Sequence, residues 1–239
     1  MPKVEKAIIL AAGSGNRMKP VTLLTPKPLV RVNGVRMIDT IIQGLHKNGI
    51  HEIYVVTGYL KEQFKILEQE YEKIKLIDNI YYDTCNNISS LYVVRDYLEN
   101  SIILDGDQIV YNSDILETTF ERSGYNSVWT DEETEEWLQT VENGIVKSCS
   151  RNGGKHGWRL YSISRWTSED GKKLKIHLEQ EFEKKRNRQI YWDDVVMFYH
   201  FEDYELGIRP MSAGDIIEID SLDELIALDK NYLKYAEEK

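Results

Sequence analysis

The stretch LAAGSGNRMKPVTLLTPKPLV, from Leu10 to Val30, carries the residue types that hold an anion at close range. Gly13, Ser14 and Gly15 are small and leave backbone N–H groups free to point at a ligand, and Arg17 and Lys27 bring positive charge to the same loop. Glycine makes the loop pliant at its start, whereas Pro20, Pro26 and Pro28 fix its path at its end. The pattern is not a Walker A loop, which needs Gly-Lys followed by Ser or Thr, and Met18 stands where a dinucleotide fingerprint needs its third glycine. Phosphate binding by a strand, loop and helix is the chemistry these residues suggest.

Such a loop works only if a strand delivers it and a helix receives it. Lys6–Ala12, KAIILAA, is continuously apolar, as a strand buried on both faces of a parallel sheet must be. After the loop, MIDTIIQGLHKNGI spaces Ile38, Ile41, Ile42 and Leu45 at helical intervals and offers Gly49 as a stop. EIYVVTG reads as a second strand, YLKEQFKILEQEYE as a helix, IKLID as a third strand, SSLYVVRDYL as a helix and SIILDGD as a fourth strand. This alternation predicts a three-layer α/β domain with a mainly parallel sheet, one domain over residues 1–239. The later half is less regular. SVWT, GIVKSCS and WRLYSISRW read as strands of an extension or second sheet, and SEDGKKLKIHLEQEFEKKRN as a polar helix whose first turn Gly171 should disturb. Ile216–Ile219 reads as a short strand, and Ser221 with Glu224 as the capping box of a final helix.

The chain of 239 residues has a net charge of −10, which argues against nucleic acid as the main partner and leaves room for a local basic pocket. Cys85 and Cys149 have neither a disulfide framework nor metal-ligand spacing, and read as reduced thiols. His46, His51, His156, His177 and His200 show no ligand spacing either. No run approaches the ~20 apolar residues that span a bilayer, so no membrane insertion and a cytoplasmic location are expected.

The loop resembles the signature of the sugar nucleotidyltransferase, or pyrophosphorylase, family, Leu-Ala-Ala-Gly-x-Gly-x-Arg followed by Pro-x-Thr and Pro-Lys-x-Leu. Leu10, Ala11, Ala12, Gly13, Gly15, Arg17, Pro20, Thr22, Pro26, Lys27 and Leu29 match it, and Met18 and Val21 replace the usual leucines. The resemblance implies a Rossmann-like nucleotidyltransferase fold with a small β/α extension for the acceptor. It implies that the glycine loop, Leu10 to Gly15 with Ser14 inside it, wraps a nucleoside triphosphate while Arg17 and Lys27 contact phosphates. It also implies Mg²⁺ as cofactor, on Asp107 of IILDGDQ and Asp220 of IIEIDSLDEL, with Asp105 at the nucleotide. Magnesium takes few carboxylates and fills its octahedron with phosphates and water.

One segment departs from the sugar-using members: CNNISSLYVV stands where a Gly-Thr-Ala type stretch is usual, placing Asn87 and Ser89 near the nucleotide. With GYLKEQF, EEW and YWDD, this segment is similar to the bacterial CTP:phosphocholine cytidylyltransferase branch over nearly the whole chain. A quaternary ammonium donates no hydrogen bonds and is best held by aromatic faces with a carboxylate. By resemblance Trp137, Tyr191 and Trp192, with Asp194, are the residues of such a cage. The expected reaction joins CTP and phosphocholine into CDP-choline and pyrophosphate. Because a phosphomonoester is largely dianionic at pH 7, its second pKa being about 6, the nucleophile needs no general base. The alternatives are the same transfer to another aminoalkyl phosphate or phosphonate, such as 2-aminoethylphosphonate or phosphoethanolamine, or a nucleotide-binding module without turnover.

Overall fold

The first strand, β1 (Lys6–Ala11), is apolar beyond Lys6 because both of its faces are covered. Successive side chains of a strand point to opposite faces, and here Ala7, Ile9 and Ala11 join one core while Ile8 and Leu10 join another. This is the computed structural model of the chain, and it describes residues 1–238. Beyond the Gly13–Lys27 loop, β2 (Arg31–Val32) and β3 (Val35–Arg36) form a small hairpin that leads into α1 (Met37–Lys47). Ile38, Ile41, Ile42 and Leu45 of α1 cover the first face of β1. The helix ends where Gly49 adopts φ +79°, and the N–H of Ile50 donates back to Leu45 O at 2.9 Å.

β4 (Glu52–Thr57), α2 (Lys65–Glu70), β5 (Ile74–Asp78), α3 (Ile88–Val93) and β6 (Ser101–Asp105) continue the alternation. β1 lies between β4 and β6, with β5 beyond β4, and all four strands run parallel. The carboxyl ends of β1 and β6 therefore open side by side at one edge of the sheet, where the phosphate loop leaves β1 and Asp105 leaves β6.

After β7 (Gln108–Val110) come β8 (Gly124–Thr130), β9 (Leu138–Glu142), β10 (Ile145–Ser150) and β11 (Gly157–Trp166). These strands do not build a second sheet. β11 pairs antiparallel with β6, and the whole forms one nine-stranded sheet in the order β5-β4-β1-β6-β11-β8-β12-β10-β9, where β12 is Gly207–Pro210. The free edge of β6 explains this. An unpaired central edge would leave buried backbone groups without partners, and Ile163–Trp166 at the end of β11 supply them.

α4 (Ser168–Glu179) is regular from its first turn, because Thr167 caps it by accepting the N–H of Asp170 at 3.1 Å. Gly171 serves close packing rather than a bend: a Cβ there would lie 2.7 Å from the Leu98 carbonyl oxygen. The single turn α5 (Trp192–Asp194) follows, and α4 and α5 cover the second face of the sheet with Leu174, Leu178 and Trp192. β13 (Ile216–Glu218) pairs antiparallel with β7, and α6 (Leu222–Leu228) starts with the Ser221/Glu224 capping box read from the sequence. A third cluster, Met18, Val30 and Met37 against Ile219, Leu222 and Leu225, docks this C-terminal segment on the phosphate loop. Among the described residues no helix is long and apolar enough to cross a membrane.

Candidate functional site

The loop after β1 turns at Gly15, whose φ of +61° favours glycine and whose Cβ would sit 2.9 Å from Thr22 Cγ2. The Thr22 hydroxyl donates to Gly15 O at 2.8 Å and locks that turn. A Cβ on Gly13 would meet no protein atom, so the chain leaves open space there. Leu10, Ala11, Gly13, Gly15, Arg17 and Lys27 line a cleft of about 340 Å³ together with Asn16, Pro28, Asp107, Glu218 and Asp220. Ala12 and Ser14 complete the turn between the lining residues.

The short ladder of β7 and β13 sets the acidic side of this cleft. Gln108 is opposite Glu218 and the Ile219 N–H donates to Asp107 O at 3.3 Å just beyond it, so Asp107 and Asp220 come to the same end of the ladder. Lys27 is buried and donates from Nζ to Asp107 Oδ2 at 2.6 Å and to Asp220 Oδ1 at 2.8 Å. Arg17, mostly exposed, reaches the same Asp220 oxygen at 2.9 Å. Burial alone would lower the Lys27 pKa, but Asp107 and then Asp220 outweigh it and hold it above the ordinary lysine value. Burial would likewise raise Asp220, and Lys27 and Arg17 bring it below the usual carboxylate value instead. Glu224 fixes Asp220 from behind: its Oε2 accepts the backbone N–H of Asp220 at 2.7 Å and of Ser221 at 2.8 Å.

Carboxylate oxygens of Asp107, Glu218 and Asp220 all lie within 4.8 Å of one another. Asp107 Oδ1 is buried and has no hydrogen-bond partner among the described residues. Desolvation in the cleft, then the charges of Asp107 and Asp220, push Glu218 up to about 8. A hard-oxygen donor set with an unused buried oxygen and crowded negative charge suits a small divalent cation such as Mg²⁺. Glu218 was not among the residues singled out in the sequence. Its only signal is its place two residues before Asp220.

A second cavity, about 240 Å³, adjoins the first and shares Glu218 with it. Asn87, Asp105, Glu136, Trp137, Leu160, Ser162, Tyr191 and Asp193 complete its wall. Trp137 and Tyr191 meet edge to face, ring centres 6.2 Å apart and planes at 89°. Phe198 packs on Trp137 from behind at 5.3 Å, and the Arg151 guanidinium lies 3.8 Å over Phe198. Burial, followed by the charges of Asp107 and Glu218, drives the Asp105 pKa well up. Burial also pushes Asp193 up to about 7, against the facing Tyr125 hydroxyl, and Asp193 Oδ1 has no hydrogen-bond partner among the described residues.

Besides Ala12 and Ser14 of the turn, three residues singled out in the sequence do not line either cavity: Ser89, Trp192 and Asp194. Trp192 is 1% exposed and stacks on Tyr125 at 5.9 Å, inside the core. Asp194 turns away to pair with Arg151 at 2.6 Å and to accept the Tyr191 N–H at 2.8 Å, so it holds the aromatic corner in place rather than facing into it. The single helical turn accounts for the exchange. Residues 192, 193 and 194 point in three directions, and only Asp193 points into the cavity. Ser89 is buried and accepts from Asn79 Nδ2 at 3.0 Å, whereas Asn87 lines the cavity and accepts the Trp192 N–H at 2.8 Å.

Residues 6–123 match the nucleotidyl transferase family model. The chain is 37% identical to a 2-aminoethylphosphonate cytidylyltransferase of Lancefieldella rimae, over 95% of this chain and 93% of that protein. It is 33% identical to a choline-phosphate cytidylyltransferase of Streptococcus pneumoniae, over 94% of this chain and 97% of that one. The solved structure of the CTP:phosphocholine cytidylyltransferase from Streptococcus pneumoniae superposes with a TM-score of 0.85 at 32% identity, covering 95% of this chain and 98% of that chain.

Proposed function

Since the chain belongs to the nucleotidyl transferase family and is a cytidylyltransferase, we propose that it transfers the cytidylyl group of CTP to phosphocholine, giving CDP-choline and pyrophosphate. An oxygen of the phosphocholine phosphate attacks the α-phosphorus of CTP, and the bond from that phosphorus to the oxygen bridging the β-phosphate breaks. The attacking group is largely dianionic at pH 7, its second pKa being about 6, so no side chain has to remove a proton. The protein's part is positioning and charge neutralisation. Backbone N–H groups of the Gly13–Gly15 turn face the triphosphate. Lys27 spends two of its three N–H donors on Asp107 and Asp220 and keeps one for a phosphate oxygen. Arg17, at the open side of the cleft, binds the departing end of the nucleotide. Asp107 and Asp220, with Glu218 beside them, would hold Mg²⁺, which supplies Lewis-acid charge to the phosphates.

The observation that carries the acceptor is the aromatic corner. Trp137 and Tyr191 stand at 89° over a cavity whose other wall is acidic, and a trimethylammonium group needs ring faces and negative charge but no hydrogen-bond acceptor. A second reading rests on a different observation. Asp193 Oδ1 is buried without a donor, and a primary ammonium would supply one. That favours 2-aminoethylphosphonate, the acceptor named for the Lancefieldella rimae relative. The deciding experiment measures pyrophosphate release with CTP, UTP and dTTP against phosphocholine and 2-aminoethylphosphonate. Higher kcat/KM with CTP and phosphocholine supports the first reading. Preference for the phosphonate replaces it with the second.

A further inference from the structure

Two histidines far apart in sequence meet on the side of the molecule covered by α4. His177, in the last turn of α4, and His200 stack with ring centres 3.9 Å apart and planes at 8°. His177 Nε2 and His200 Nδ1 both face Oδ2 of Asp203, at 3.5 Å and 3.6 Å. Neither contact is short enough to be a good hydrogen bond. All three donor atoms lie within 4.8 Å of one another. A tetrahedral zinc ion with bonds of about 2.0–2.2 Å sets its ligand atoms about 3.3–3.6 Å apart, the spacing from each imidazole to Asp203.

The outer ring nitrogens are oriented as well. His200 Nε2 lies 2.8 Å from Oε1 of Glu181, a fully buried carboxylate, and His177 Nδ1 lies 2.8 Å from the Tyr204 hydroxyl. Histidines that ligate metals have their second nitrogen held by a carboxylate or other polar group in this way, which fixes the tautomer and turns the free lone pair inward. Asp203 is 56% exposed, so the set opens to solvent on one side.

We propose that His177, His200 and Asp203 form a zinc-class metal site separate from the catalytic cleft. Imidazole donors select transition ions over magnesium, so this site and the all-oxygen cluster of the cleft take different cations. On binding, the two rings tilt out of their parallel stack about the outer contacts to Glu181 and Tyr204, which are kept, so that both lone pairs meet at the ion, and water fills the remaining position. The metal would tie the end of α4 to the segment that follows α5, the turn carrying Asp193.

The test uses Co²⁺, a coloured stand-in for Zn²⁺, titrated into the full chain in excess Mg²⁺. One equivalent should give the intense visible bands of four-coordinate cobalt, and Zn²⁺ should abolish them. Asp203→Asn, at an exposed position, should weaken Co²⁺ binding at least tenfold, whereas Asp107→Asn should leave the bands unchanged. Zn²⁺ should also raise Tm in the wild type and not in His177→Gln. The proposal is overturned if wild type shows no such bands, if Asp203→Asn leaves them intact, if Asp107→Asn removes them, or if the rise in Tm survives in His177→Gln.

Discussion

The cleft at the glycine loop, assigned above to the nucleotide, and the aromatic cavity, proposed for the acceptor, share Glu218 and are built on opposite plans. Most of the cleft comes from one continuous stretch, Leu10 to Pro28, closed by three carboxylates, Asp107, Glu218 and Asp220, at the β7–β13 ladder. The cavity takes side chains from the N-cap of α3, the end of β6, the turn before β9, β11, the N-cap and first turn of α5, and β13, segments scattered between Asn87 and Glu218. A triphosphate is the same in every enzyme that uses CTP, and backbone N–H groups on a rigid loop suffice to hold it. An acceptor is particular, and side chains from many elements are needed to distinguish one small cation from another. Changes in the cleft should therefore affect all acceptors alike, and changes in the cavity should affect them unequally.

The largest effect tests the first half of that statement. Asp107→Asn removes a charge from the cation cluster and should lower kcat about 10³-fold, several kcal/mol of lost charge stabilisation. Lys27→Ala should cost ~10²–10³-fold by losing a preorganised donor. Lys27→Arg should not restore the rate, because the site is 7% exposed and spans 2.6 Å and 2.8 Å contacts that suit a compact ammonium rather than a planar fork. Steady-state rates with phosphocholine and with 2-aminoethylphosphonate should fall by the same factor. A loss confined to one acceptor would mean that the cleft and cavity are not separable.

The same contrast governs what could be read from the residues alone. The apolar run of β1, the glycine turn, Lys27 and the capping box at Ser221 were legible because each depends on local spacing that backbone geometry enforces. Asp107 and Asp220 were legible only through resemblance, since 112 positions separate them and the β7–β13 ladder joins them. In the cavity the segments were found and the rotations were not. YWDD was singled out, but periodicity does not say that a one-turn helix sends Trp192 into the core, Asp194 to Arg151 and Asp193 into the cavity. Glu136 lies inside EEW and Glu218 inside IIEIDSLDEL, but nothing in either segment marks that residue rather than its neighbours as the one that lines the cavity. The later strands were recognised as strands, but their membership of the main sheet follows from the open edge of β6, which no local pattern records.

A smaller, selective effect tests the second half. If the Trp137 ring faces the trimethylammonium group, it contributes on the order of 1–2 kcal/mol in a desolvated site. Trp137→Leu should then reduce kcat/KM for phosphocholine roughly 5–30-fold, ~1.4 kcal/mol being tenfold. The KM for CTP should stay constant, and 2-aminoethylphosphonate should lose less, because its ammonium still has Asp193 and Glu136 to bond to. Equal losses with both acceptors would make the ring a structural wall, held by Phe198 and Arg151 for packing alone.

The smallest expected effect sharpens the comparison with pH. Burial pushes Asp193 up to about 7, so its carboxyl is neutral in the free protein below that pH and charged above it. A cationic acceptor prefers the charged form. Acceptor KM should therefore be highest near pH 6 and fall as pH rises through 7, and Glu218, pushed up to about 8 on the same wall, extends a shallower fall beyond it. Titration of one group from one unit below its pKa to one unit above changes its ionised fraction about tenfold, which bounds the effect. The acceptor phosphate, with a second pKa of about 6, adds at most about twofold over the same window. Asp193→Asn should remove the step centred near pH 7, leaving the phosphate's twofold and the later titration of Glu218, and should raise KM at pH 8. A wild-type profile that persists in Asp193→Asn would assign the titration to other groups at the cavity, and the acceptor cation would then be placed against Asp105 and Glu218 instead of Asp193.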